Sequence, residues 1–407
     1  MRRKLLANSE PKPPRPRNQT LMYWRKKVFL ILNTDIDLAK FGGSPASYLG
    51  LCVLLFSYIA IRLMRGSEVF RQNSRILVVG SRARAERIIT AIRGNKERHE
   101  IVGCLDPDPS QIGKSIAEVK VVGTVSSLPA YLFGQAVDLV LFAMPLEAVP
   151  NAKELIDAAL QTGVPVSIVL DGDLDRLGDH LNGRKITFKK LAGVTIVVMS
   201  SVPCNRTYLI LKRLLDVTAA TSLLIVLSPL FIVIALLIKL YSGQGTVFYP
   251  WKVLGQNRNP FVGYKFRTMV PNAEQLKEQL LQHNEMQGPV FKMRNDPRIT
   301  PLGSFLRKYS LDELPQLYSV LKGDMSLVGP RPPAKNEADQ FEFWQRRKLG
   351  VKPGMTCLWQ VNGRSEIKSF DEWARLDLEY IRNASLWFDF QILLRTVPAV
   401  IRGRGAH

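Results

Sequence analysis

Apolar positions along the chain fall into three patterns. The first is a single uncharged run, "YLGLCVLLFSYIAI", residues 48–61. A bilayer-spanning helix needs about 20 residues. Extending the run to Ser44–Met64 reaches that length, with Arg62 long enough to snorkel. A membrane segment is predicted over 46–64. Basic residues flank both ends, so charge does not orient it.

The second pattern covers 74–200. "RILVVG", "HEIVGCLD", "VKVVGT", "AVDLVLFAM" and "VPVSIVL" are short apolar runs, and helix-like stretches such as "SRARAERIITAI" and 151–162 separate some of them. Strands alternating with helices predict an α/β, doubly wound, Rossmann-like parallel sheet. Gly80 follows the first strand, where a phosphate-binding turn would sit. "GSRARAER" lacks the G-x-G-x-x-G spacing, so a structural or regulatory domain is expected in place of a dinucleotide enzyme.

The third pattern is "LKRLLDVTAATSLLIVLSPLFIVIALLIKLYS", 211–242, with no charge between Asp216 and Lys239. Its length suits the bilayer, but Ser228 and Pro229 interrupt its middle. Proline removes a backbone donor, and serine can satisfy a freed carbonyl. A kinked span and a segment that enters and leaves one face are both readings of this pattern. The second is favoured, because the domains on either side both suit the cytosol. A re-entrant helix is expected over 211–241, within a mainly α unit spanning 206–407. Near the end, "FDEWARLDLEYIRNASLWFDFQILLRTVPAVI" mixes large apolar residues with charges. Such helices either lie in a membrane interface or pack a core.

Charge changes this picture. The 407 residues hold 56 Lys+Arg against 35 Asp+Glu, a net +21. That excess points to a polyanionic partner. A nucleic-acid binder is disfavoured, since neither interleaved aromatics nor a groove-reading module is present. Residues 1–45 are basic and proline-rich early, and are expected to be partly disordered against a membrane surface. No secretory signal is visible at the N-terminus. Four scattered cysteines and four scattered histidines suggest reduced thiols and no local zinc site.

Candidate chemistry concentrates after residue 243. "YSLDELPQL", 309–317, sets Asp312 beside Glu313. Ser310 and Glu313 fit a capping box, but Pro315 would then forfeit a bond inside the helix. A start at Asp312 puts Pro315 at N3, where no N–H is needed. Asp312 would then sit at the positive end of a helix dipole. "GYKFRTM" presents Lys265 and Arg267 on one strand face by period-two alternation. Asp296, Arg298 and Arg307 precede the acid pair. Arg331 is braced by Pro330 and Pro332, and "KPGMTCLWQVNGR" supplies Trp359, Gln360 and Arg364. Fixed cations around two carboxylates suit a phosphate-plus-metal site, in which the acids bind a divalent cation or attack phosphorus.

From about 206 onward, "KRLLD", the Ser228–Pro229 break, "KFRTM", "NDPRIT", "SLDELPQL", "KGDMSLVGPRP", "KPGMTCLWQVNGRS" and the terminal "RGAH" occur in order. This half resembles the bacterial sugar transferases, the monotopic polyprenyl-phosphate phosphoglycosyl transferases. The upstream domain resembles the CoA- or nucleotide-binding fold of their large members. Those members usually carry several N-terminal membrane helices; here one candidate is present. The resemblance implies that Asp312 attacks a UDP-sugar and that Glu313 binds Mg²⁺. It maps Lys265, Arg267, Arg307, Pro330, Arg331 and Pro332 onto phosphate and nucleotide contacts. It maps Lys212, Arg213 and Asp216 onto the region of the lipid phosphate. The implied partners are a UDP-sugar, undecaprenyl phosphate, the membrane and a second copy in a homodimer. The implied location is the bacterial inner membrane, with the catalytic half facing the cytoplasm. Two other readings compete with this one. "YSVLK", 318–322, fits the Y-x-x-x-K of a nucleotide-sugar oxidoreductase or dehydratase, but lies far from Gly80. A non-catalytic scaffold predicts no transfer at all.

Overall fold

The computed structural model describes residues 74–94, 99–170, 186–202, 205–241, 245–363 and 367–402. All of them belong to one compact unit, Ala60–His407. The expected segments 1–45 and 46–64 lie outside the described residues, as do Cys52, Cys204 and Arg364.

Eight strands form the first sheet: β1 (Arg75–Val79), β2 (Glu100–Asp106), β3 (Ser115–Ile116), β4 (Val119–Thr124), β5 (Leu139–Phe142), β6 (Val166–Val169), β7 (Ile186–Leu191) and β8 (Val194–Met199). Their order is β3-β4-β2-β1-β5-β6-β8-β7. The five central strands are mutually parallel. Antiparallel pairs close both edges, β3 on β4 at one and β8 with β7 at the other, so the sheet is mixed where a parallel one was expected. Alternation sorts the side chains onto two layers. Ile76 and Val78 face α1 (Arg82–Gly94), where Ala85, Ile89 and Ile92 meet them. Leu77 and Val79 face α2 (Leu128–Gly134) and α3 (Ala152–Gln161). The crossover reverses between β1 and β5, the usual binding crevice of such folds. There a Cβ on Gly80 would stand 3.2 Å from the Ala143 Cβ, so the turn is closely packed.

The second half begins with α4 (Arg206–Val226) and α5 (Ser228–Tyr241), bent by 61° at Leu227. Pro229 has no N–H to give the Ile225 carbonyl, and the Ser228 hydroxyl donates to that oxygen instead, at 2.8 Å. Among the described residues no single helix is long and apolar enough to cross a membrane, whereas this bent pair passes together. Ile225, Val226, Ile232, Val233, Leu236 and Leu240 are all exposed. Ile234 and Ile238, on the other face of α5, pack against Phe266 and Leu306.

A hairpin follows, β9 (Phe248–Leu254) with β10 (Pro260–Phe266). Then come α6 (Pro301–Lys308), α7 (Gln316–Lys322), the short parallel pair β11 (Ser326–Val328) and β12 (Gly354–Thr356), α8 (Phe370–Asn383) and α9 (Leu386–Arg402). α8 is a core helix: Phe370, Trp373, Asp377 and Tyr380 are buried. α9 instead shows Trp387, Phe390, Leu394, Val397 and Ile401 outward, at helical spacing.

The hairpin tip is fastened to the first sheet. Asp138 takes Arg75 Nε at 3.0 Å and Nη2 at 3.1 Å, and also takes the Asn257 amide at 3.1 Å. Asn257 and Arg258 both hold positive φ, 52° and 61°. A Cβ on Gly350 would come within 2.8 Å of the Gly163 carbonyl oxygen, so backbone meets backbone at this seam. Burial alone would raise the Asp138 carboxyl, but the hydrogen bonds and charge of Arg75, with Asn257, pull it below the ordinary carboxylate value. A lowered folded pKa adds stability above the unfolded value, about 3.9. That stability is lost as pH falls through the folded value. The melting temperature of Asp138→Asn should therefore lie below wild type at pH 7 and converge with it as pH drops below about 4. A gap that stays constant into acid would refute this.

Candidate functional site

Helix α6 starts where Thr300 Oγ1 accepts from Gly303 N at 3.0 Å, with Pro301 in the first turn. A Cβ on Gly303 would sit 2.0 Å from the Thr268 carbonyl, so only glycine lets the helix lie this close to the chain leaving β10. That approach brings Arg307 Nε to 3.0 Å from Thr268 Oγ1. Ser310 then adopts a left-handed conformation, φ 53°, and turns the chain out of α6.

Leu311–Glu313 forms one 3₁₀ turn, which corrects the expected helix start at Asp312. The α-helix begins at Gln316, with Pro315 at its cap. The cause is the missing N–H of Pro315. In an α-helix it would bond the Leu311 carbonyl; here that carbonyl accepts from Leu314 N at 3.3 Å. Leu317 N and Tyr318 N likewise bond three residues back. The capping box does not form, because the Ser310 hydroxyl is buried without a partner and Glu313 turns elsewhere.

Glu313 Oε1 meets Lys265 Nζ at 2.7 Å. Lys265 also lies 4.2 Å from the Trp251 ring centroid. Trp251 pairs with Gly263, so Lys265 is its diagonal neighbour across the hairpin. The same indole carries Arg331, whose Cζ is 5.8 Å from it and 5.3 Å from the Trp373 ring. Pro330 and Pro332 are buried on either side of Arg331. Asp312 is buried. Burial depresses the Arg307 guanidinium, and the charges of Asp312, Asp296 and Glu313 work against that shift. One locus therefore gathers Asp312, Glu313, Lys265 and Arg307, with Arg331 reached through Trp251.

Other candidates are placed differently. Arg267 lies past the end of β10, and its guanidinium bonds the Thr246 carbonyl at 2.8 Å and hydroxyl at 2.6 Å. Asp296 and Arg298 pair with each other at 2.6 Å and are buried, a structural turn. On α4, Lys212 Nζ meets Asp389 at 2.8 Å. Arg213 donates to the Val320 and Leu321 carbonyls at the end of α7, at 2.6 and 2.7 Å. Asp216 accepts from Ser326 Oγ at 3.0 Å and Leu327 N at 2.9 Å. All three are committed to tying elements together.

Sequence reasoning missed Asp389, Trp251 and Asp377. Asp389 accepts from the Tyr208 and Tyr380 hydroxyls, at 3.0 and 2.7 Å, as well as from Lys212. A lone acid inside "LWFDFQILL" was the available signal. Nothing local marks Trp251. Asp389→Ala strands Lys212 and two tyrosines, so about 3 kcal/mol of stability should be lost. The melting temperature should fall correspondingly, and one unchanged would show the network carries no load.

Among the described residues no group of three His, Cys, Asp or Glu could hold a metal by itself. Two adjacent carboxylates do suit a hard divalent cation that keeps its waters and shares a substrate's phosphates.

A bacterial sugar transferase model matches residues 207–403, and a CoA-binding domain model matches 45–169. The exopolysaccharide production protein ExoY of Rhizobium meliloti (strain 1021) is 40% identical over 200 residues, which cover 48% of this chain and 88% of that protein. The galactosyl transferase CpsE of Streptococcus agalactiae serotype III (strain NEM316) is 39% identical over 273 residues, 66% of this chain and 59% of that one. The UDP-glucose:undecaprenyl-phosphate glucose-1-phosphate transferase of Escherichia coli (strain K12) is 33% identical over 309 residues, 73% and 61% of the two chains. The chain belongs to the bacterial sugar transferase family. It spans about six-tenths of the length of the last two relatives.

Proposed function

We propose that the protein transfers a sugar-1-phosphate from a UDP-sugar to a polyprenyl phosphate, undecaprenyl phosphate above all, at the cytoplasmic face of the bacterial inner membrane. The observation that carries this reading is the gathering of an acid pair with Lys265, Arg307 and Arg331, beside an exposed apolar bent helix pair. Named relatives that act on undecaprenyl phosphate support the lipid acceptor.

A carboxylate oxygen of Asp312 attacks the β-phosphorus of the UDP-sugar. The bond from that phosphorus to the bridging oxygen breaks, and UMP leaves with the electron pair. A phosphate oxygen of the polyprenyl phosphate then attacks the same phosphorus, releasing the Asp312 carboxylate. The product is a polyprenyl-diphosphate sugar, the first lipid-linked unit of a polysaccharide. Lys265, Arg307 and Arg331 neutralise the charge that gathers on the non-bridging oxygens. Arg307, half-buried and bonded to Thr268, is held for that purpose with little reorganisation. Glu313 would hold Mg²⁺, which when bound neutralises diphosphate charge as a Lewis acid.

The bent α4–α5 pair enters and leaves the same leaflet, and the apolar stripe of α9 lies in the interface. An apolar lipid and a water-borne nucleotide can thus meet: the lipid tail stays in the bilayer while its phosphate reaches the surface.

The test uses the full chain in membranes with Mg²⁺, undecaprenyl phosphate and radiolabelled UDP-galactose, UDP-glucose or their N-acetylated forms. UMP release with label in the lipid is expected from one of these. Asp312→Asn should lower transfer by at least about 10³-fold. UMP release that persists in that variant would sink the covalent role of Asp312.

A further inference from the structure

Behind Arg331 lies an ion pair that the transfer reaction does not use. Asp377 on α8 is completely buried, and Lys348 is 3% exposed. Lys348 Nζ stands 2.5 Å from Asp377 Oδ2, while Asp377 Oδ1 is buried with no hydrogen-bond partner. Rings wall in the ammonium: the centroids of Phe370, Trp373 and Phe341 lie 5.5, 5.6 and 5.7 Å away.

Trp373 links this pair to the site. It precedes Asp377 by four residues on α8, so the two share a helix face. Its ring also carries Arg331, at 5.3 Å. One indole therefore lies beside two cations, Lys348 and Arg331, with one carboxylate at hand. Burial pushes the Asp377 carboxyl up, and Lys348 and then Arg331 act against that shift, so the carboxylate feels both charges. A buried ion pair contributes little net stability over an apolar pair of equal volume. Packing alone does not call for it here.

We propose that Asp377, with Lys348, is a positioning residue for Arg331, holding its guanidinium between Trp251 and Trp373 and aimed at the diphosphate of the donor. The inference rests on the reading of Arg331 as a phosphate contact. Without the pair, Arg331 loses both the carboxylate that attracts it and the ammonium that repels it across the Trp373 ring, so nothing fixes it between the two indoles.

The experiment reads UDP binding by titration calorimetry and donor KM and kcat by transfer, on the full chain in detergent. The neutral pair Lys348→Met with Asp377→Leu removes both charges and leaves volume nearly unchanged. It should melt within a few degrees of wild type, bind UDP at least about tenfold more weakly, and raise KM more than it lowers kcat. In an Arg331→Ala background the same neutralisation should change UDP affinity less than about twofold, because the route through Arg331 is already gone. If the neutral pair does not fold, Asp377→Glu replaces it. That variant keeps the charge, moves it by one methylene, and should weaken UDP binding only while Arg331 is present. Either variant binding and turning over like wild type, or weakening UDP equally with and without Arg331, overturns the proposal. Wild-type protein that binds no UDP overturns the underlying functional reading, and this inference with it.

Discussion

Lys212, Arg213 and Asp216 reach from one face of α4 to three different elements: α9, the end of α7, and β11. Each is a charged group on a helix whose continuation is almost wholly apolar. Arg213 and Asp216 are buried, and buried charges are costly unless hydrogen-bonded, so these contacts permit little drift. α7 follows directly from the acid-bearing turn, and β11 leads directly to Arg331. The polar half of α4 thereby fixes the two flanks of the site relative to each other. It also fixes both to the apolar half that the proposal places in the membrane.

Two prolines act through the same deficiency. Pro229 cannot bond the Ile225 carbonyl, and a serine hydroxyl takes its place while the helix axis turns by 61°. Pro315 cannot bond the Leu311 carbonyl, and the chain tightens into a 3₁₀ turn that presents Asp312 and Glu313. In the first case the missing donor lets an apolar segment bend by 61° at its middle. In the second it delays the helix by one turn and sets the acids ahead of it. The hairpin β9–β10 completes the arrangement. Its tip is pinned by Asp138 and Arg75, and its far end offers Trp251 and Lys265 to the acids.

Much of this was legible from residue order. Short apolar runs alternating with helix-like stretches marked the strands of the first domain, and the uncharged run with its Ser-Pro break marked the bent pair. Arg307 and the acid pair, five residues apart, were recognisable as a charged locus. The antiparallel edges of the sheet were not legible, because pairing direction depends on which strands meet across loops. Arg267 illustrates the limit. Alternation put it beside Lys265, but the strand ends at Phe266 and the side chain turns to Thr246. Asp389 and Asp377 looked like ordinary helix charges until the fold buried them among tyrosines and tryptophans.

By itself the sequence determined what local chemistry dictates: where a proline denies a hydrogen bond, where glycine permits a close approach, and which runs are apolar enough to be buried or bilayer-facing. These effects act within about one helical turn. Only the tertiary structure decided which cation meets which carboxylate. Lys265 and Glu313 are 48 positions apart, and Lys212 and Asp389 are 177 apart. Such pairs form because apolar burial closes the intervening chain. Charge then selects among the few partners that closure brings within reach.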